Sequence, residues 1–62
     1  MKHERLAAEL QRTIESKAVT QADLARAFGT TPAKLKRMIE TEEFSDGDIE
    51  RARRLRFLKD EE

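Results

Sequence analysis

The sequence predicts an all-α fold, a compact domain of four helices, and three observations lead to this prediction. Apolar residues recur at intervals of three and four, which is the spacing that places them on one face of a helix. Thr20, Thr31 and Ser45 each precede such a segment, at the position that a helix N-cap occupies. Strand signals are absent, since the chain contains no Tyr, no Trp and no alternating β-branched run.

Length and composition limit the function classes that the chain can serve. Its 62 residues predict one domain, residues 1–62, which is too small for a TIM barrel or a two-domain enzyme. The absence of Cys excludes disulfide scaffolds, iron–sulfur sites and zinc fingers. A single His, His3, gives no basis for a nucleophile–base pair or a His-based metal site. We therefore expect no catalysis, no cofactor and no metal.

The chain offers no membrane segment, and its charge is balanced but uneven. No apolar run approaches the roughly 18 residues that span a bilayer, and no signal peptide is evident. We therefore expect a soluble cytoplasmic protein, nucleoid-associated in a bacterium or phage if the chain is natural. Its 13 basic and 13 acidic residues cancel. Local charge therefore decides which partner is favoured.

The first two helices are predicted from their apolar faces and their boundary residues. The first runs from about Glu4 to Ser16, and its inward stripe is Leu6, Ala7, Leu10 and Ile14. Thr20 caps the second, Asp23 can complete a capping box, and Gly29 ends it in a left-handed conformation. Its inward residues are Leu24, Ala25 and Phe28. We interpret His3 as an incidental terminal residue.

The third helix is predicted to begin with Thr31 as N-cap and Pro32 at the first helical position. Its inner face consists of Leu35, Met38 and Ile39. The early positions outside that face carry three cations, Lys34, Lys36 and Arg37. A helix dipole disfavours cations near its N-terminus, so this placement has a local cost. A polyanionic partner bound at the first turns would offset that cost.

The fourth helix is predicted to follow a turn at residues 41–44 and to start with Ser45 as N-cap. Its inward stripe is Ile49, Ala52, Leu55 and Leu58. Phe57 lies off this stripe. The outer sides carry four arginines, Arg51, Arg53, Arg54 and Arg56. We interpret them first as partners of the acids at helical spacings, Glu50 and Asp60.

The second and third helices, joined by a short turn with Gly29, have the sequence pattern of a helix-turn-helix. Residues 20–39, about a third of the chain, resemble the helix-turn-helix of phage repressor and Cro-like DNA-binding domains. The spacings of Gln21, the small Ala25, Gly29 and the following aliphatic Leu35 carry this resemblance.

The resemblance implies sequence-specific binding of double-stranded DNA and a role in transcription regulation, with the third helix as the recognition helix in the major groove. It implies that Gln21 contacts a phosphate. The other DNA-binding residues that it implies are Thr30, Thr31, Pro32, Ala33, Lys34 and Arg37. The charge of the third helix adds Lys36 to this set. Arg37 suits guanine, because its two-pronged guanidinium matches the two guanine acceptors, whereas Lys36 suits a phosphate. Such repressors typically dimerise through a fifth helix. Because the sequence predicts only four helices here, we expect a monomer or a weak dimer.

Two alternatives stay open on the sequence alone. The near-ideal N-caps and the minimal length are also typical of a designed or redesigned DNA-binding protein. A different function class, a helical protein-interaction module, would use the arginine-rich side of the fourth helix. The salt dependence of binding to duplex DNA separates this module from a DNA-binding domain.

Overall fold

Four helices account for most of the residues that the computed structural model describes, which are residues 1–58. They are α1 (Glu4–Glu15), α2 (Gln21–Ala27), α3 (Pro32–Thr41) and α4 (Asp46–Arg54). The predicted all-α fold is confirmed. Within the described part the only β-type pairing is an isolated bridge between Lys2 and Glu43. No helix in residues 1–58 is both long and apolar enough to cross a membrane.

The N-caps that the sequence predicts are formed. At each one a hydroxyl oxygen accepts the backbone N–H of the residue three positions on, at 3.1 to 3.2 Å. These pairs are Thr20 with Asp23, Thr31 with Lys34, and Ser45 with Asp48. At α4 the Asp48 carboxylate also accepts the Ser45 N–H at 3.1 Å, which completes a capping box. Because these bonds satisfy otherwise unpaired donors, they fix where α2, α3 and α4 begin.

The interpretation of His3 as an incidental residue is wrong. Its Nδ1 atom accepts the backbone N–H of Leu6 at 3.1 Å, so His3 is the N-cap of α1. Its own N–H donates to the carbonyl of Glu42 at 2.8 Å, and the N–H of Phe44 donates to the carbonyl of Met1 at 2.8 Å. The N-terminal residues therefore join the start of α1 to the segment that follows α3.

One apolar core lies between the helices and includes nearly all of the predicted inward residues. The buried side chains are Leu6, Ala7, Leu10, Leu24, Ala25, Phe28, Leu35, Phe44, Ile49, Ala52 and Leu58. Ile14, Met38 and Ile39 pack against this core while half-buried. Leu35 is the one residue of α3 that is buried, so this helix leaves most of its surface open to a partner.

The predicted fourth helix is too long. Helix α4 ends at Arg54 because Arg56 adopts a left-handed backbone with φ of 69°, and the helical spacing no longer applies beyond it. Leu55, predicted to face inward, is 40% exposed. Phe57, predicted to lie off the stripe, packs against the core, and its ring lies 6.0 Å from that of Phe28. The left-handed backbone at Arg56 therefore leaves Leu55 exposed and places Phe57 against the core, which is the reverse of the prediction.

Left-handed residues end the helices, and only one of them is a glycine. Gly29 follows α2 with φ of 67°, as predicted. Lys17 follows α1 with φ of 61°, and Glu42 ends α3 with φ of 62°. Since a β-carbon is strained in this region, these charged residues carry a conformational cost that glycine would remove. Helix α3 also includes Thr41, which the sequence predicts to lie in a turn.

Lys17→Gly is expected to stabilise the fold by about 0.5–1 kcal/mol, because glycine adopts the left-handed conformation without strain. Lys17 is exposed, so the change removes no core contact. Lys17→Ala is the matched control, since it removes the same side chain but keeps the β-carbon. Thermal denaturation of both variants checks this result. An equal melting temperature in the two variants would contradict the strain at this position.

Candidate nucleic-acid interface

A continuous exposed surface covers the α2–α3 turn and the first two turns of α3. It includes seven of the eight residues predicted to contact DNA, and we call it the α3 face: Thr30, Thr31, Pro32, Ala33, Lys34, Lys36 and Arg37. All are exposed except Thr30, which is half-buried. Leu35 interrupts them and is fully buried. Its burial fixes the rotation of α3, and this rotation turns the flanking polar residues outward.

The charges on α3 oppose its dipole. The helix has no acidic residue in its first turn and no basic residue in its last. Lys34, Lys36 and Arg37 occupy the first two turns, and within residues 1–58 none of them forms an ion pair. The helix N-terminus already carries a partial positive charge, so these cations add to a positive potential. This end of α3 is therefore suited to an anionic partner.

Gln21, the eighth predicted residue, joins the first turns of α2 and α3. Its side-chain Nε2 donates to the carbonyl of Pro32 at 2.8 Å. One of its two amide protons is thus engaged inside the protein, and the second is available for an external acceptor. The bond spans 11 residues of sequence. No sequence pattern indicates this hydrogen bond, because both residues carry ordinary helix-start signals.

A cleft of about 290 Å³ places Gln21 beside Lys36. Its other lining residues are Gln11, Ile14, Ile39 and Glu40. The two residues predicted to contact phosphates thus lie on the same side of α3. The carboxylate of Glu40, one turn after Lys36, disfavours an anion beside it in the same cleft.

The turn between α2 and α3 is held from within and also from α4. The N–H of Thr30 donates to the carbonyl of Ala25 at 2.9 Å, across Gly29. From α4, an Nη1 proton of Arg51 donates to the carbonyl of Ala27 at 3.3 Å. A β-carbon at residue 29 would lie only 3.1 Å from this Nη1 atom. Gly29 thus serves both the left-handed turn and the close approach of the guanidinium.

The acidic residues that follow α3 form ion pairs near the C-terminal end of that helix. Glu42 forms an ion pair with Lys2 at 3.6 Å, and Glu43 forms one with the N-terminal ammonium at 3.3 Å. A helix of ten residues is about 15 Å long, so these carboxylates lie far from the first turn of α3. They leave the positive potential at the α3 face largely intact.

The arginines of α4 have differing surroundings. The predicted pairing with Glu50 is confirmed for Arg54, whose guanidinium lies 3.7 Å from the Glu50 carboxylate. The predicted pairing with Asp60 lies outside the described residues. Both side chains are largely exposed, so this pair contributes little to stability. Arg53 is half-buried, and it lines a shallow concavity together with Glu50, Arg54 and Arg56.

Within residues 1–58 no group of three or more His, Asp or Glu side chains is placed to hold a metal ion. Comparison with protein-family models, with curated proteins and with solved structures finds no match to the chain.

Proposed function

We propose that the protein binds double-stranded DNA sequence-specifically, without catalysis, by inserting the first two turns of α3 into the major groove. The observation that carries this proposal is the α3 face, where Lys34, Lys36 and Arg37 are exposed and form no ion pair within the described residues. A duplex is a polyanion whose major groove admits one α-helix. Phosphates close to α3 would offset the unfavourable position of these cations in the dipole.

The side chains of the α3 face fit distinct roles in this complex. Ala33 and Arg37 are exposed and one helical turn apart, so the small residue allows close approach where the long one reaches a base edge. In the proposed complex Arg37 contacts guanine, and Thr31 and Ala33 contact a thymine methyl or a base edge. Lys36 and the second amide proton of Gln21 contact phosphates and set the orientation.

The local arrangement of α2 and α3 supports the same proposal. A short turn with a left-handed Gly29 joins them, and the Gln21–Pro32 hydrogen bond ties their first turns together. This arrangement suits a helix-turn-helix of the phage repressor and Cro-like kind, in which α3 is the recognition helix. We propose that the protein acts as a monomer or weak dimer in transcription regulation.

Selection from a pool of random duplexes, followed by titration at several salt concentrations, tests the proposal. We expect enrichment of a short site that the protein binds more tightly than a scrambled duplex. The logarithm of the binding constant should fall linearly with the logarithm of salt concentration, with a slope of about −0.9 for each phosphate contacted. A protein that binds no duplex at low salt would overturn the proposal and favour a protein-interaction module that uses the arginines of α4.

A further inference from the structure

A groove on α4 lies next to the α3 face and has no role in the proposed contacts described so far. It has a volume of about 230 Å³ and is lined by Gly47, Glu50, Arg51 and Arg54. We call it the α4 groove. The groove lies beside the α2–α3 turn, because the guanidinium of Arg51 donates to the Ala27 carbonyl and approaches Gly29. That turn leads directly into the exposed start of α3.

Gly47 is not required by the packing of the chain. It lies in the first turn of α4, and glycine is a poorer helix former than alanine. A β-carbon at this position would meet only the Ser45 hydroxyl oxygen at 3.8 Å, an ordinary contact, and the backbone has no positive φ. A bare backbone is useful where a ligand must come close. An alanine at residue 47 would therefore fit and would stabilise α4, whereas the glycine leaves the α4 groove open at this point.

The arginines of the α4 groove retain donors for an external anion. Arg51 uses one guanidinium N–H for the Ala27 carbonyl, and a guanidinium has five. The Arg54 side chain is 77% exposed, and its ion pair with Glu50 is loose enough to be exchanged for a better acceptor. The residues that line the groove are two cations and one carboxylate, and Asp46 and Asp48 of the same helical turn are not part of this lining. Planar guanidinium groups match phosphate oxygens in a bidentate arrangement.

We propose that the α4 groove binds the sugar–phosphate backbone of the same duplex whose major groove receives α3. This inference rests on the proposed function, and it adds a second anchoring surface outside the α3 face. A duplex fits better than an acidic protein, because the groove continues the α3 face through Arg51. In the complex, Arg54 and the free donors of Arg51 bind phosphate oxygens, and Gly47 allows the strand to approach the first turn of α4.

The first test compares Arg54→Gln with Lys2→Gln in titrations of the selected and scrambled duplexes. Both variants lose one exposed cation, but Lys2 lies at the far end of α3, against Glu42. We expect Arg54→Gln to weaken binding to both duplexes by the same factor and to lower the salt slope by about 0.9. Its loss of affinity relative to the wild type should therefore shrink about 3.5-fold when the salt concentration rises fourfold. Lys2→Gln should change binding much less.

The second test uses Gly47→Ala, for which stability and affinity should move in opposite directions. The melting temperature should rise, because alanine is the better helix former. Affinity for both duplexes should fall several-fold, because the new methyl group occupies the path of the strand. A gain in stability with unchanged affinity would contradict close approach of DNA to this turn.

The outcomes separate this inference from the proposed function. If the wild-type protein binds duplexes and Arg54→Gln matches Lys2→Gln, the α4 groove does not contact DNA and the inference fails, whereas the role of α3 stands. The same holds if Arg54→Gln reduces binding to the selected site alone. If the wild-type protein binds no duplex, both proposals fail together.

Discussion

Leu35→Ala is expected to destabilise the protein by about 2–5 kcal/mol, the usual cost of removing a fully buried Leu side chain. Leu35 is 0% exposed and is the one buried residue of α3. At about 0.05–0.15 kcal/mol per residue, a chain of this length has a total stability of only about 3–9 kcal/mol. The substitution should therefore leave a large unfolded fraction, which circular dichroism during urea denaturation would detect.

Leu55→Ala is the matched control for this experiment, since the chemical change is identical. Leu55 is 40% exposed, and surface substitutions usually change stability by less than about 0.5 kcal/mol. A large loss at Leu55 together with a small loss at Leu35 would contradict the described packing and support the longer fourth helix that the sequence predicts.

Arg37→Ala is expected to lower affinity for the selected duplex by about 1–3 kcal/mol and to relax the preference at one base pair. The reason is the bidentate contact that we propose between the guanidinium and one guanine. Binding to a scrambled duplex should change much less. Titrations of both duplexes, together with single base-pair changes in the selected site, measure the effect.

Lys36→Ala provides the comparison, because we propose that Lys36 binds a phosphate. It should weaken binding to both duplexes alike and lower the salt slope by about one unit. An equal loss for Arg37→Ala on both duplexes would make Arg37 a phosphate contact and disprove its proposed role in base recognition.

The sequence predicts the starts of α2, α3 and α4 more accurately than the helix ends, because the residues that form an N-cap lie close together in the chain. Thr20, Thr31 and Ser45 cap helices through bonds that span three residues, so the relevant residues stand together in the sequence. At the C-terminal ends, Glu42 and Arg56 adopt a left-handed conformation that their residue types do not indicate. The sequence therefore predicts a longer α4 than the helix that forms, which ends at Arg54.

At the candidate site, features that depend on a single helix were predictable from the sequence, whereas contacts between helices were not. The exposure of Lys34, Lys36 and Arg37 follows from the burial of Leu35 in a single helix, so helical spacing predicted it. The contact of Arg51 with the α2–α3 turn joins residues 24 positions apart. Such a contact depends on how α4 packs, and no pattern within one helix predicts it.

We propose that α3 is the surface that binds DNA, and an NMR titration of the labelled protein with the selected duplex shows which backbone amides the DNA affects. We predict that the largest amide chemical-shift changes occur at residues 30–37, on the α3 face. The segment around residue 43, where the N-terminal residues pair with the end of α3, should change little. Changes confined to the C-terminal part of α4, with residues 30–37 unaffected, would contradict the claim.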